Sequence, residues 1–132
     1  MSRRERDEFI KFQWQIYTND PVWVPPLIFE RRRFLDRKRH PFYGHGDAAL
    51  FLARKKGKIA GRIMASDDPN YNCLHQTNVG CFGLFECIDD QEVAAALFNA
   101  VVNWLRKKGR TEMMGPIDYS TNYVCGLLIE GF

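Results

Sequence analysis

One carboxylate, Glu86, closes a run that carries no charge from Val79 to Phe85. Burial disfavours the ionised form of a carboxylate, so a partly buried glutamate becomes a proton acceptor near neutral pH, the property a general base needs. The plainer alternative is a residue facing solvent at a strand edge, or paired with an arginine such as Arg62. The densest positive charge lies in Arg31-Arg32-Arg33 and Arg37-Lys38-Arg39. Such charge makes either a solvated helix face or an electrostatic landing site for phosphate groups. As a nucleic-acid surface it lacks interleaved aromatic residues beyond Phe34, and nucleic acid is not an expected partner. Cys73, Cys81, Cys87 and Cys125 form no C-x-x-C pair and sit mostly in apolar context, which predicts free thiols. Cys125 as a nucleophile would need a base, and no histidine is identifiable beside it. His40, His45 and His75 are scattered rather than set at ligand spacing, so no metal site is expected.

The elements that position Glu86 are written most clearly between Asn78 and Gly109. The apolar run from Asn78 to Ile88 must be covered on both faces if it is a strand, which is the pattern of a central strand. Strict alternation places Val79, Cys81, Gly83, Phe85 and Cys87 on one side and Phe82, Leu84 and Glu86 on the other, unless a bulge shifts the count. Beyond it, Val93, Leu97, Val101 and Leu105 recur every four residues, with Phe98 and Trp104 widening the stripe, and predict a helix over Gln91 to Lys108. Asp89 is the expected N-cap, with Glu92 three residues on as in a capping box, and Gly109 is the expected left-handed C′ residue.

The other elements follow in order. Asp7 to Phe12 reads as a short edge strand leading to a helical turn at Gln13 to Tyr17, or the whole as one amphipathic helix; the first is the expectation. Pro25-Pro26 opens a helix from about Leu27 to Asp36. Ala48 to Arg54 and Lys58 to Ala65 form an antiparallel hairpin around Lys55-Lys56-Gly57. Ser66 to Asn78 reads as a loop. Thr111 to Met114 is a short strand parallel to its predecessor. Ser120 or Thr121 opens a last helix running toward Glu130.

With 132 residues, 45% hydrophobic and 27% charged, the chain supports one domain and is too short for two. A net charge of +3 implies no particular partner by itself. Aromatic content of 14% requires a bulky core or leaves apolar surface for a partner. No apolar run reaches about 18 residues and the first eight residues are too charged to open a signal peptide, so no membrane segment and a cytoplasmic location are expected.

The order of elements, with Asp20-Pro-Val-Trp-Val-Pro-Pro-Leu27, Ala49-Leu-Phe-Leu-Ala53, Ile59-Ala-Gly-Arg-Ile63, Phe82-Gly-Leu-Phe-Glu-Cys87 and Gly126-Leu-Leu-Ile-Glu-Gly-Phe132, resembles a bacterial branch of the GNAT superfamily of N-acyltransferases. The resemblance implies an α+β fold of three-layer type, a mixed, mostly antiparallel sheet flanked by helices. It also implies an acetyl-CoA or other acyl-CoA cofactor, with the pantetheine arm on the strand backbone at Phe85, Cys87 and Ile88, and the pyrophosphate on the amides around Gln91 and Glu92. Glu86 is then the base for an amine acceptor, a small molecule, and Tyr119 or Tyr123 the acid for the leaving thiolate. The phosphate loop departs from the family pattern Q/R-x-x-G-x-G/A: it reads Ile88-Asp-Asp-Gln-Glu-Val93, without glycine or arginine. Three carboxylates at an electropositive helix end predict weak coenzyme A binding, and a non-catalytic GNAT-like assembly module is the alternative function.

GNAT domains continue with further strands after the last helix. The resemblance therefore implies that residues 1–132 form a single domain whose C-terminal strands are missing. The strand at Thr111 to Met114 then has an unpaired edge, and the apolar run Val124 to Phe132 adds uncovered surface, which together predict a homo-oligomer.

Overall fold

A computed structural model describes residues 1–127 and 129. Helix α1 spans Arg3–Tyr17 and α2 Ile28–Phe34, and a 3-10 turn at Pro41–Gly44 leads into the hairpin β1 (Asp47–Lys55) and β2 (Lys58–Asp67). Then follow α3 (Pro69–His75), β3 (Val79–Cys87), α4 (Gln91–Lys107) and β4 (Glu112–Met114). The sheet order is β1-β2-β3-β4, antiparallel except for β4, which runs parallel to β3. Helices on both faces make this the three-layer α+β arrangement expected.

Four expectations need correction. The N-terminal segment is one helix rather than a strand and a turn. Its signal is a capping box in which the Ser2 hydroxyl accepts from the Glu5 amide at 3.1 Å and Glu5 accepts from the Ser2 amide at 2.8 Å. The expected loop at Ser66 to Asn78 contains α3, capped by Asp68, whose carboxylate accepts from the amides of Asn70 and Tyr71, with Pro69 at the first helical position. The cap of α4 is Asp90, not Asp89. Over its described residues, the expected last helix is a series of turns and bends, tied by an isolated bridge between Ile117 and Cys125. Ser120 accepts locally from the Asn122 amide rather than opening a helix. Leu128, Glu130, Gly131 and Phe132 lie outside the described residues.

Two cores lie on either side of the sheet. On one, Phe9 and Ile10 of α1 pack with Leu35, Phe42, Ala48, Met64 and Tyr119. On the other, Val93, Leu97, Val101 and Leu105 of α4 pack on Ala60, Ile63 and Ala65 of β2. Because β2 feeds both, it is buried from Ala60 to Asp67, more completely than β3. The alternation of β3 breaks at a bulge, where Arg62 still opposes Glu86 but Met64 opposes Gly83. Leu84 takes a left-handed φ of 50°, and its amide donates to Asp118 Oδ1 at 3.0 Å. The strand therefore changes parity: Phe82 and Phe85 both pack toward α4, while Leu84 turns toward the α1 core.

Gly83 sits where the segment after β4 crosses this bulge, since Ile117 donates its amide to the Phe82 carbonyl at 2.7 Å. A Cβ at Gly83 would lie 2.2 Å from the Ile117 carbonyl oxygen, which is backbone and cannot rotate away. Gly83→Ala is therefore expected to destabilise the fold by roughly 1–3 kcal/mol, the usual scale of overpacking. Urea unfolding followed by circular dichroism checks it, and a midpoint equal to the parent's would contradict the crossing described.

Candidate functional site

The parity change turns Glu86 toward α1. Gln13 and Tyr17 stand at i and i+4 on that helix, so both reach one point. The Tyr17 hydroxyl lies 2.9 and 3.0 Å from the two Glu86 carboxylate oxygens, and Gln13 Nε2 donates to Oε1 at 3.3 Å. Burial, and then the neighbouring carboxylate, push the Tyr17 phenol up to about 12, so it stays protonated and can only donate to Glu86. Trp23 holds Tyr17 from behind, its ring stacked at 5.4 Å between centroids. An ionised carboxylate offers about four acceptor positions, so these donors orient Glu86 without exhausting its capacity to take a proton.

Behind Glu86 lies Arg62, its partner in the β2–β3 register, only 4% exposed. Its Nη1 donates to the Phe9 carbonyl at 3.0 Å and its guanidinium stands over the Phe9 ring, while Nε has no hydrogen-bond partner. Desolvation lowers the guanidinium to about 10, so it remains charged at neutral pH. Among the described residues it forms no ion pair, so the pairing with Glu86 is through space rather than direct. Burial raises the Asp118 carboxyl above its usual range, although the hydrogen bond from Leu84 opposes this.

Among the described residues one side of β3 is open beside this group, because β4 pairs only with Val79 to Cys81. The Ile88 amide donates to the Ala60 carbonyl at 2.9 Å, toward β2. Alternation turns the peptide groups of Phe85 and Cys87 the other way, into the gap beyond the end of β4. Gln91 and Glu92 are exposed at the start of α4. There the Asp90 carboxylate accepts from the amides of Glu92 and Val93, at 2.9 and 3.4 Å, and is paired with Lys55. The place an incoming phosphate would take is thus held by the chain's own carboxylate.

The tyrosines divide. Tyr119 is fully buried at a positive φ of 61°, donates to the Phe34 carbonyl at 2.7 Å, and burial raises its phenol strongly. Tyr123 is half-buried against Phe34, His40 and Tyr119, and its hydroxyl makes no hydrogen bond among the described residues. Burial raises the thiol of Cys87 as well, which keeps it protonated. Gln13 and Tyr17 carry no signal of a site in the sequence, because a single helical turn from Gln13 to Tyr17 does not show which face it shares with Phe9; the Ser2–Glu5 box extends the helix back to Arg3 and exposes that face. Among the described residues no group of three His, Cys, Asp or Glu side chains could hold a metal ion.

A crystal structure of ribosomal-protein-alanine N-acetyltransferase from Brucella melitensis biovar Abortus 2308 superposes with a TM-score of 0.56 at 14% identity, covering 86% of this chain and 73% of that one. The chain has the GNAT fold. A Pyrococcus furiosus protein described as an acetyl transferase also matches, with a TM-score of 0.50 at 14% identity, covering 97% of this chain and 93% of that one. No family profile matches. Protein YghO of Escherichia coli (strain K12) is 38% identical over 132 residues, covering 100% of this chain and 34% of that protein. The bacterial ceramide synthase of Caulobacter vibrioides (strain NA1000 / CB15N) is 38% identical over 133 residues, covering 97% of this chain and 34% of that protein. The chain thus spans about a third of the length of these curated relatives.

Within the GNAT fold, the Asp90 cap gives a direct test of the helix end. Asp90→Ser keeps an oxygen that can cap Glu92 and Val93 but removes the charge. Charges at a helix terminus are worth about 0.3–1 kcal/mol, so coenzyme A affinity, expected to be weak in the parent, is expected to rise by up to about fivefold, while loss of the Lys55 pairing lowers the melting temperature slightly. Isothermal titration checks this, and micromolar binding by the unaltered chain would contradict it.

Proposed function

We propose that this chain carries the reaction site of an acyl-CoA-dependent N-acyltransferase acting on a long-chain amine. The observation that carries the reading is the position of Glu86: a carboxylate oriented by Tyr17 and Gln13, beside a strand edge whose Phe85 and Cys87 peptide groups have no neighbouring strand among the described residues. That edge can hold a pantetheine amide by β-type hydrogen bonds and so set the thioester carbonyl near Glu86. The acceptor class is supported by the ceramide synthase relative, since ceramide is an N-acylated long-chain amino alcohol.

In this reaction the amine nitrogen attacks the thioester carbonyl carbon, the C–N bond forms and the C–S bond breaks. Glu86 takes the proton that the nitrogen loses. The coenzyme leaves as a thiolate, a good leaving group because thiols ionise at about 8.5, and is protonated by solvent or by Tyr123. Tyr119 takes no part in proton transfer in this scheme, because its hydroxyl is committed to Phe34.

A second reading, a non-catalytic GNAT-fold module that assembles with another chain, is favoured by the Asp90 carboxylate at the helix end. Release of free thiol from palmitoyl-CoA in the presence of sphinganine separates the two. Under the first reading Glu86→Gln lowers turnover by roughly 10²-fold, the usual scale for a lost general base, while melting is nearly unchanged. Tyr17→Phe, which removes only an orienting donor, lowers it less. No thiol release by the parent chain, or equal release by the Gln variant, would overturn the first reading.

A further inference from the structure

The most strongly charged feature of the molecule lies away from Glu86. A broad open cleft of about 990 Å³ runs between the start of α1, α2 and the start of β1. Seven of its lining side chains are Arg or Lys and three are Asp. Arg32 is held by Asp7 through two hydrogen bonds of 2.8 Å, and Arg37 by Asp47 at 2.6 Å, so part of this charge is structural and ties α2 to α1 and the segment after α2 to β1. Arg3, Arg6, Arg33 and Lys38 form no ion pair among the described residues, and the half-buried Arg6 leaves its Nε without a hydrogen-bond partner.

One exposed apolar side chain projects from the same wall, and others precede it along the chain. Phe29, 65% exposed, lies one turn before Arg32 and Arg33 on the same face of α2 and lines the cleft with them. Leu27, Val24 and Val22 precede it, exposed by 57%, 83% and 58%. The segment that presents them is anchored: Trp23 packs edge-on against Trp14 at 5.3 Å and stacks on Tyr17, and Asp20 accepts from the Val22 amide at 3.0 Å. A fixed apolar ridge bordered by unpaired cations combines the two terms of interfacial lipid binding, burial of apolar side chains at the acyl boundary and attraction of cations to anionic headgroups.

We propose that this face docks on a membrane surface rich in anionic phospholipid, with Leu27 and Phe29 entering the headgroup region and Arg3, Arg6, Arg33 and Lys38 contacting lipid phosphates. A nucleic acid would use the cations equally well. The exposed ridge, however, is mainly aliphatic, and aliphatic side chains give bases nothing to stack on.

Co-sedimentation of the 132-residue chain with vesicles tests the proposal. The chain pellets with vesicles of equal parts phosphatidylglycerol and phosphatidylcholine and not with phosphatidylcholine alone. Salt at about 0.5 M weakens the binding by shortening the screening length. Leu27→Ser with Phe29→Ser, and separately Arg33→Glu with Lys38→Glu, each weaken it by roughly tenfold while the circular dichroism melt is retained. Failure to pellet with anionic vesicles, equal binding to neutral ones, or binding indifferent to either pair overturns the proposal. So does tight binding of a DNA duplex that the Leu27/Phe29 pair leaves unchanged, which would assign the face to nucleic acid.

Discussion

The hydrogen bond from the Leu84 amide to the Asp118 carboxylate is the contact on which the site depends. A strand in regular alternation would carry Glu86 on the same face as Phe82, against α4. One residue in left-handed backbone reverses that, and a left-handed leucine is unfavourable enough to need a specific partner. Asp118 supplies it from a part of the chain more than thirty residues away, at the expense of a buried carboxylate whose proton is held more tightly than usual. Removing that partner would leave the Leu84 amide without its acceptor and let the strand return to regular pairing.

The bulge also explains why the sheet opens where it does. Segment 115–118 crosses β3 at Phe82 and Gly83, then leaves to pair Ile117 with Cys125, so among the described residues no strand continues the sheet beside Phe85 and Cys87. The same few residues thus create an unpaired backbone edge and aim a carboxylate beside it. Helix α1 completes the arrangement. Its buried face fills the core through Phe9, Ile10 and Phe12, and one turn further on the helix presents Gln13 and Tyr17 to Glu86. Packing and site are therefore properties of one helix face, and a change that tilts α1 would move the donors that orient the carboxylate.

The helix end at Asp90 points the other way. A helix N-terminus is an anion site because its first amides have no partner. Here Asp90 is that partner and Lys55 neutralises it, which stabilises α4 and fills the position a ligand phosphate would take. The GNAT fold is kept while the first amides of α4 are satisfied by a local cap. Among the described residues no helix is long and apolar enough to cross a membrane.

The sequence by itself determined the β1–β2 hairpin, β3, α4 and the parallel β4, because each is written in local periodicity, turn residues and caps. It also holds two further local signals, the Ser2–Glu5 box and Asp68-Pro69, both legible from neighbours within four positions. Glu86 was legible as an odd charge in an apolar run. Its surroundings were not: which face it occupies depends on a bulge, and the bulge depends on Asp118, Gly83 and the crossing at Ile117, contacts separated by some thirty residues. The fate of Tyr119 was equally hidden, since its hydroxyl finds the Phe34 carbonyl across 85 positions. Periodicity records only how a residue relates to its near neighbours, whereas the partners of Glu86, Arg62 and Tyr119 were decided by which segments the two cores bring together.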